Sequence, residues 1–289
     1  MKDIQVIYNL PNDFYTAEEL KQPVIIRSYQ SNRKSPRNKS IIHQNMIDIL
    51  IRGKKTIIDA GGTKSFEAGE LMILSKGNSI ISQALPDNNL FHSVVIYFTN
   101  DVFGGFMARY SQLLNVGHHG RRHKNSFLTY SHDKFISNYI NALQILLQTP
   151  HIFTAELKLL KLEELLLYLL NQDVEKLLSL AIVAKDNDEM KLRQVAESSI
   201  GGRMSLEELA FLCNTSLSSF KRKFYKMYGA SPQKWLLQQK MQLAANLLKH
   251  PGETPGSVYE KVGYEDHSSF SKAFKRQFKL TPKAFQVKI

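Results

Sequence analysis

The sequence predicts an α+β chain of more than one domain. An antiparallel β-barrel with following helices comes first, and an all-α domain with two helix-turn-helix units joined by a helix comes last. Three observations predict this. From His43 to Phe98, short alternating apolar runs are punctuated by Gly53, Gly61, Gly62, Gly69 and Gly77, as in small antiparallel barrels or sandwiches. From Asp133 to Gln172, leucines recur at helical spacing. From Met204 to Phe285 the chain repeats itself: Phe220, Phe224, Ser231-Pro232 and Trp235 return fifty positions on as Phe270, Phe274, Thr281-Pro282 and Phe285. The boundaries follow as 1–130 for the barrel, 131–184 for the helical segment and 185–289 for the repeat domain, with its units at about 205–228 and 255–278.

Composition narrows the class. The net charge is +12 over 289 residues, and residues 200–289 hold fifteen Lys or Arg against six Asp or Glu. That region alone carries +9 and leaves +3 for the rest. A basic domain of this kind attracts phosphate backbones by counterion release. Cys213 is the only cysteine, so no intrachain disulfide forms, which fits a reducing cytosol. No stretch has the apolar length of a signal peptide or a membrane span, so a cytoplasmic protein without membrane attachment is expected.

Taken in order, residues 4–10 and 23–30 read as strands, rich in Ile, Val and Tyr and bounded by Pro and polar residues. SNRKSPRNKS, 31–40, reads as a polar loop. The runs HQNMIDILIRGKKTIID, SFEAGELMILSKGNSIISQAL and LFHSVVIYF follow as strands and turns. His43 and His92 are too scattered for a metal centre, and structural or pocket-lining roles suit them better. HHGRRH, 118–123, places His118, His119 and His123 close together, but no nearby carboxylate or thiolate completes a site, and the stretch reads as a solvated loop. No metal, cofactor or catalytic residue is expected, since no acid, base and nucleophile converge at motif strength.

Residues 135–148 and 154–172 read as helices, the second apolar on more than one face. Leu157, Leu160, Leu165 and Leu169 then serve either packing on the barrel together with a second subunit, or a purely internal core. Gly201 and Gly202 end a stretch that reads as a flexible joint into the repeat domain.

Each repeat reads as helix, turn, helix and a Pro-capped exit. Ser205 and Glu208 form a capping box at the start of SLEELAFL. Asn214 supplies the tight reversal, because Asn tolerates positive φ. Ser216 caps a helix that buries Phe220, Phe224 and Met227 and projects Ser218, Lys221, Arg222 and Tyr225 from its other face. The second copy has Gly263 at the turn, Asp266 at the cap and Phe270, Phe274 and Phe278 on the buried stripe. Between them, Pro232 starts the joining helix at a position where its missing N–H costs no bond.

VGYEDHSSFSKAFKRQFKLTPKAF, 262–285, resembles the signature of the AraC/XylS family of bacterial transcription regulators. The likeness covers the last ninety positions, about a third of the chain. It departs where Tyr259 stands in place of a small Ala, where Pro255-Gly256 replaces helix formers, and where Asn214 replaces Gly. The resemblance implies seven helices, with both recognition helices in successive major grooves of double-stranded DNA. Ser218, Lys221, Arg222 and Tyr225 would then read one groove, and His267, Ser268, Ser269 and Lys272 the next. Lys226, Lys275 and Arg276 would hold phosphates, which set register without reading sequence. Whether the second unit reads bases or only anchors stays open. The resemblance also implies a homodimeric activator that works with RNA polymerase.

FEAGELMILSKGNS, 66–79, resembles a corner of cupin-like barrels, which form the sensory half of many such regulators. LKLEELLLYLL, 160–170, is similar to a helix of the subgroup that activates type III secretion genes, whose N-terminal half answers to a protein partner. Control by a small-molecule effector and control by a regulatory protein, or dimerisation alone, are both expected readings of the N-terminal domain.

Overall fold

The alternating runs become strands β1 (Ile7–Leu10), β2 (Val24–Ser31), β3 (Ser35–Ile42), β4 (Asn45–Arg52), β5 (Lys54–Asp59), β6 (Gly62–Glu67), β7 (Glu70–Leu74), β8 (Gly77–Ala84), β9 (Phe91–Phe98) and β10 (Phe127–Ser131). They belong to a computed structural model that describes residues 6–86, 90–114, 127–131, 133–183 and 188–288. The His118, His119 and His123 stretch lies outside the described residues. The chain divides into two units, Met1–Asp186 and Asn187–Ile289.

In the first unit, one sheet has the order β1-β3-β8-β5-β6 and the other β10-β7-β4-β9-β2. All pairings are antiparallel except β1 with β3, which is parallel. The stretch read as a loop at 31–40 is largely strand β3, and the reason for the error is local. Its register shifts between Ser35 and Asn38, and Arg37 there has φ +46°. A bulge of this kind breaks the alternation that marks a strand in sequence.

Successive side chains of a strand point to opposite faces, and β4 uses both. Met46 and Leu50 enter the core between the sheets with Ile57, Phe66, Phe91 and Tyr97, whereas Ile47 and Ile49 join a second core under the helices. That helical layer comprises α1 (Asn100–Arg109), α2 (Ser111–Leu114), α3 (Lys134–Gln148), α4 (Ala155–Gln172) and α5 (Val174–Val183). Asp133 and Thr154 cap α3 and α4 by accepting the amides of Ile136 and Leu157. The residues expected as a separate helical segment thus share one core with the sheet.

Two of the four leucines offered to a second subunit are corrected. Leu165 and Leu169 are wholly buried in the unit's own core, and Leu157 is half-buried against it. The excess leucines of α4 are taken up by β2 on one side and α5 on the other. Leu160 alone of the four is exposed, at 60%.

The second unit contains, among the described residues, seven helices: α6 (Asp188–Ser198), α7 (Leu206–Leu212), α8 (Leu217–Tyr228), α9 (Pro232–Leu247), α10 (Pro255–Lys261), α11 (His267–Phe278) and α12 (Pro282–Val287). The repeated aromatic residues recreate the same packing twice. Phe220 and Phe224 meet at 5.6 Å and 56°, Phe270 and Phe274 at 5.7 Å and 56°. The edge-on contacts Phe224–Trp235 and Phe274–Phe285 are 5.6 Å at 75° and 5.3 Å at 77°. All four helix-borne phenylalanines are fully buried.

Gly201 and Gly202 are not a joint. They belong to the second unit, and the carbonyls of both lie against Gly263 in the turn between α10 and α11. Glycine here serves close approach of backbones, a use indistinguishable in sequence from flexibility.

Candidate nucleic-acid interface

The interface starts from two short helices held by their caps. Ser205 accepts the Glu208 amide at 3.1 Å and Glu208 accepts the Ser205 amide at 2.8 Å, which fixes the start of α7. Asn214 turns the chain at φ +53°, and Ser216 accepts the Ser219 amide at 3.3 Å to start α8. In the second copy Thr254 and Ser257 form the capping box of α10, with Pro255 at its first position. Gly263 turns the chain at φ +78°, and Asp266 accepts the Ser269 amide at 2.7 Å to start α11. That amide, helped by the Ser269 hydroxyl, holds the Asp266 carboxyl below the usual carboxylate range. Pro255, a departure in sequence, is absorbed where a helix needs no N–H.

Burial of the phenylalanines decides what faces outward. On α8, Ser218, Lys221, Arg222, Tyr225 and Lys226 are exposed, and Tyr225 is 62% exposed despite its size. On α11, His267, Ser268, Ser269, Lys272, Lys275 and Arg276 are exposed. Each set lies exposed on one short helix, away from its buried Phe pair except for His267, whose ring meets Phe270 at 6.3 Å, so the structure brings each set together. Lys226, Lys275 and Arg276 stand in the last turns, where cations also complement the helix dipole.

Four other cations of this unit are engaged within it. Lys223 pairs with Asp188 at 2.8 Å, Lys261 pairs with Glu253, Lys240 donates to the Gly202 carbonyl and Arg203 to the Tyr264 carbonyl. Among the described residues, no ion pair engages Lys221, Arg222, Lys272, Lys275 or Arg276. On α8, charge count does not separate Lys223, which pairs with Asp188, from Lys221 and Arg222; helical position relative to Phe220 does.

Tyr259 occupies the place of a small residue and fills it with specific contacts. Its hydroxyl donates to Glu260 Oε1 at 2.9 Å, and its ring meets His267 edge-on at 6.0 Å. Cys213 ends α7, and burial pushes its thiol up to about 12, which leaves it inert as a nucleophile at neutral pH.

The first unit holds a cavity of about 770 Å³ between its sheets, walled by Tyr15, Arg27, Tyr29 and Tyr97 and containing Asp48 and Lys55. Asp48 and Lys55 form a buried ion pair at positions where β4 and β5 otherwise supply apolar residues. Asp48 Oδ1 is buried without a protein partner among the described residues. Burial also pushes the Tyr97 hydroxyl well above its ordinary pKa. His43 and His92 stand apart, one 3.1 Å from Asn9 Oδ1 and the other 2.9 Å from Ser28 Oγ. No group of three His, Cys, Asp or Glu placed to hold a metal occurs among the described residues.

The sequence profile of the ExsA N-terminal regulatory domain matches residues 45–180, and that of a helix-turn-helix domain matches residues 209–288. The chain belongs to the AraC-type transcription regulators. This AraC-type chain is 23% identical to the HTH-type transcriptional regulator ExsA of Pseudomonas aeruginosa over 235 residues, 81% of this chain and 83% of that one. It is likewise 23% identical to the virulence regulon transcriptional activator VirF of Yersinia enterocolitica over 240 residues, 83% of this chain and 88% of that one. Among solved structures, apo ToxT from Vibrio cholerae aligns over 92% of this chain and 97% of its own at 15% identity, with a TM-score of 0.42.

Proposed function

We propose that both recognition helices of this AraC-type regulator, α8 and α11, enter successive major grooves on one face of double-stranded DNA. The observation that carries the reading is an exposed donor face on each helix, whose Lys221, Arg222, Lys272, Lys275 and Arg276 make no ion pair among the described residues, beside a repeated pair of buried phenylalanines. Ser218, Lys221, Arg222 and Tyr225 read the first groove, and His267, Ser268, Ser269 and Lys272 the second. Lys226, Lys275 and Arg276 hold phosphates. Arg222 is the principal reader, because a guanidinium grips guanine O6 and N7 with two bonds worth about 1–3 kcal/mol of discrimination.

The Met1–Asp186 unit is the control point. A small molecule in the barrel cavity is the first reading, supported by the buried Asp48 carboxylate oxygen, which can accept a hydrogen bond from a ligand. A regulatory protein or a second copy is the alternative, supported by exposed Ile145, Ile152 and Leu160 on and beside the helices. The regulator acts as an activator through RNA polymerase, as a homodimer, in the cytoplasm, without catalysis. No described helix is long and apolar enough to cross a membrane.

Footprinting on genomic sites bound by the intact protein tests the DNA reading. Two short motifs about one helical turn apart are expected on one face; a single motif beside a merely shielded flank would reduce the second unit to an anchor. Arg222→Ala should lower specific binding and relax preference at one base step, whereas Lys275→Ala should weaken specific and random DNA alike. Equal losses for Arg222→Ala on both kinds of DNA refute its base-reading role. A thermal-shift screen separates the two control readings, since a ligand that favours the native state raises its stability.

A further inference from the structure

Two cations of the second unit, the partly buried Lys240 and the exposed Arg203, bind backbone carbonyls at the seam between its helix-turn-helix copies. Lys240, on α9, donates from Nζ to the Gly202 carbonyl at 2.7 Å. Burial lowers its pKa, and Arg203 adds to the effect. Arg203 donates from Nη2 to the Tyr264 carbonyl at 3.0 Å. The segment Gly201–Arg203, which leads into α7 of the first copy, is thereby laid on the α10–α11 turn of the second.

The glycines allow this approach. A Cβ placed on Gly263 would stand 2.7 Å from the Gly201 oxygen, 2.8 Å from the Gly202 oxygen and 3.1 Å from Lys240 Nζ. A Cβ on Gly201 would stand 3.1 Å from the Lys261 oxygen. Side chains at either position would force the copies apart. Lys240 closes the seam from a third side, its ammonium donating to the Gly202 carbonyl.

A helix between two bodies fixes their separation along its axis but holds each body at one end only. A second attachment is needed to fix rotation. In this unit α9 is the first attachment, and the Lys240–Gly202–Gly263 seam is the second. Rotation matters for DNA reading: one base pair more or less moves a motif by about 3.4 Å and turns it by roughly 35° around the duplex.

We infer that Lys240 is a positioning residue that sets the spacing at which the two DNA motifs are read, while reading no base itself. The inference rests on the proposed entry of both recognition helices into DNA. It predicts that loss of Lys240 widens the tolerated spacing and leaves base preference within each motif intact.

The test uses the intact protein and duplexes carrying its two footprinted motifs at native spacing and at one or two base pairs more or fewer. Wild type should favour one spacing. Lys240→Met, which keeps length and removes the donor, should reduce that preference by about tenfold, the scale of a charged hydrogen bond. Affinity for a single motif should change by less than about twofold, as expected for a residue distant in role from the bases. A Lys240→Met protein with the wild-type spacing profile overturns the inference alone. A wild type indifferent to spacing overturns both the inference and the two-groove reading beneath it.

A second measurement needs no DNA. Spin labels at Lys226→Cys and Arg276→Cys, in a Cys213→Ser background, report the distance between the ends of α8 and α11. The distribution should be narrow in the parent and broader with either Lys240→Met or the milder Lys240→Gln. An unchanged distribution in the folded variants rejects the assignment.

Discussion

The two helix-turn-helix copies share an aromatic scaffold and differ at their turns. Asn214 and Gly263 both adopt positive φ, at +53° and +78°. Asn214 is exposed at its turn and holds the left-handed backbone that Asn tolerates. Gly263 faces two carbonyl oxygens closer than any Cβ could approach, so the position asks for a missing side chain as well. The helix exits show the reverse assignment: Gly229 ends α8 at φ +65°, whereas Lys279 ends α11 at φ +61°. A repeat therefore preserves what its core needs and lets each turn answer to its own neighbours.

The comparison breaks most violently at the shared scaffold. Phe224→Ala and Phe274→Ala should each cost about 3–5 kcal/mol, because both remove a fully buried ring. Urea unfolding of the intact protein followed by Trp235 fluorescence reads this directly, since Trp235 is the single tryptophan and packs on Phe224. Similar losses in the two variants support one scaffold used twice; a loss below about 1 kcal/mol in either denies it.

The turns should separate the copies. Gly263→Asn combines backbone strain with a clash and should cost upward of about 2 kcal/mol, whereas Asn214→Gly should stay within about 1 kcal/mol. Equal effects in the same unfolding assay would erase the distinction drawn between the turns. At the exits, Lys279→Gly should stabilise by about 0.5–1 kcal/mol and Gly229→Lys should destabilise by a similar amount, since only Gly adopts the left-handed region freely.

The smallest expected effect lies at the caps of the recognition helices. Asp266 caps α11 with a carboxylate of lowered pKa, and Ser216 caps α8 with a group that does not titrate. A depressed acid contributes stability that is present above its unfolded pKa and lost as pH falls through its folded pKa. Acidification below about pH 4 should therefore lower the exchange protection factor of the Ser269 amide more than that of Ser219. Equal loss of protection at both amides would contradict the assignment.

What the sequence disclosed follows from what leaves a periodic trace. Phe220, Phe224, Phe270 and Phe274 recur at helical spacing, and their caps are chemically distinctive, so the repeats and both exposed faces were legible. The first half of β3 was not, because its bulge at Arg37 removes the alternation. Gly201 and Gly202 were misread as a joint, since a glycine that admits a carbonyl looks the same as one that bends. Leu165 and Leu169 fit a partner or an internal core alike in sequence, because sequence shows that a helix is apolar on more than one face, and not which neighbours cover it. Lys240 left no signal, as nothing in its local pattern distinguishes an inward lysine from an outward one.

Strand β4 carries a further meaning. Its even positions, Met46, Asp48 and Leu50, face the space between the sheets, and its odd positions, Ile47 and Ile49, press on the helical layer. A pleated strand is stiff across its own thickness, and close-packed cores shift between arrangements instead of yielding locally. Asp48 in the cavity and Ile47 and Ile49 in the core shared with α3 and α4 are therefore joined by one backbone. The cavity and the helical layer are two faces of the same plank.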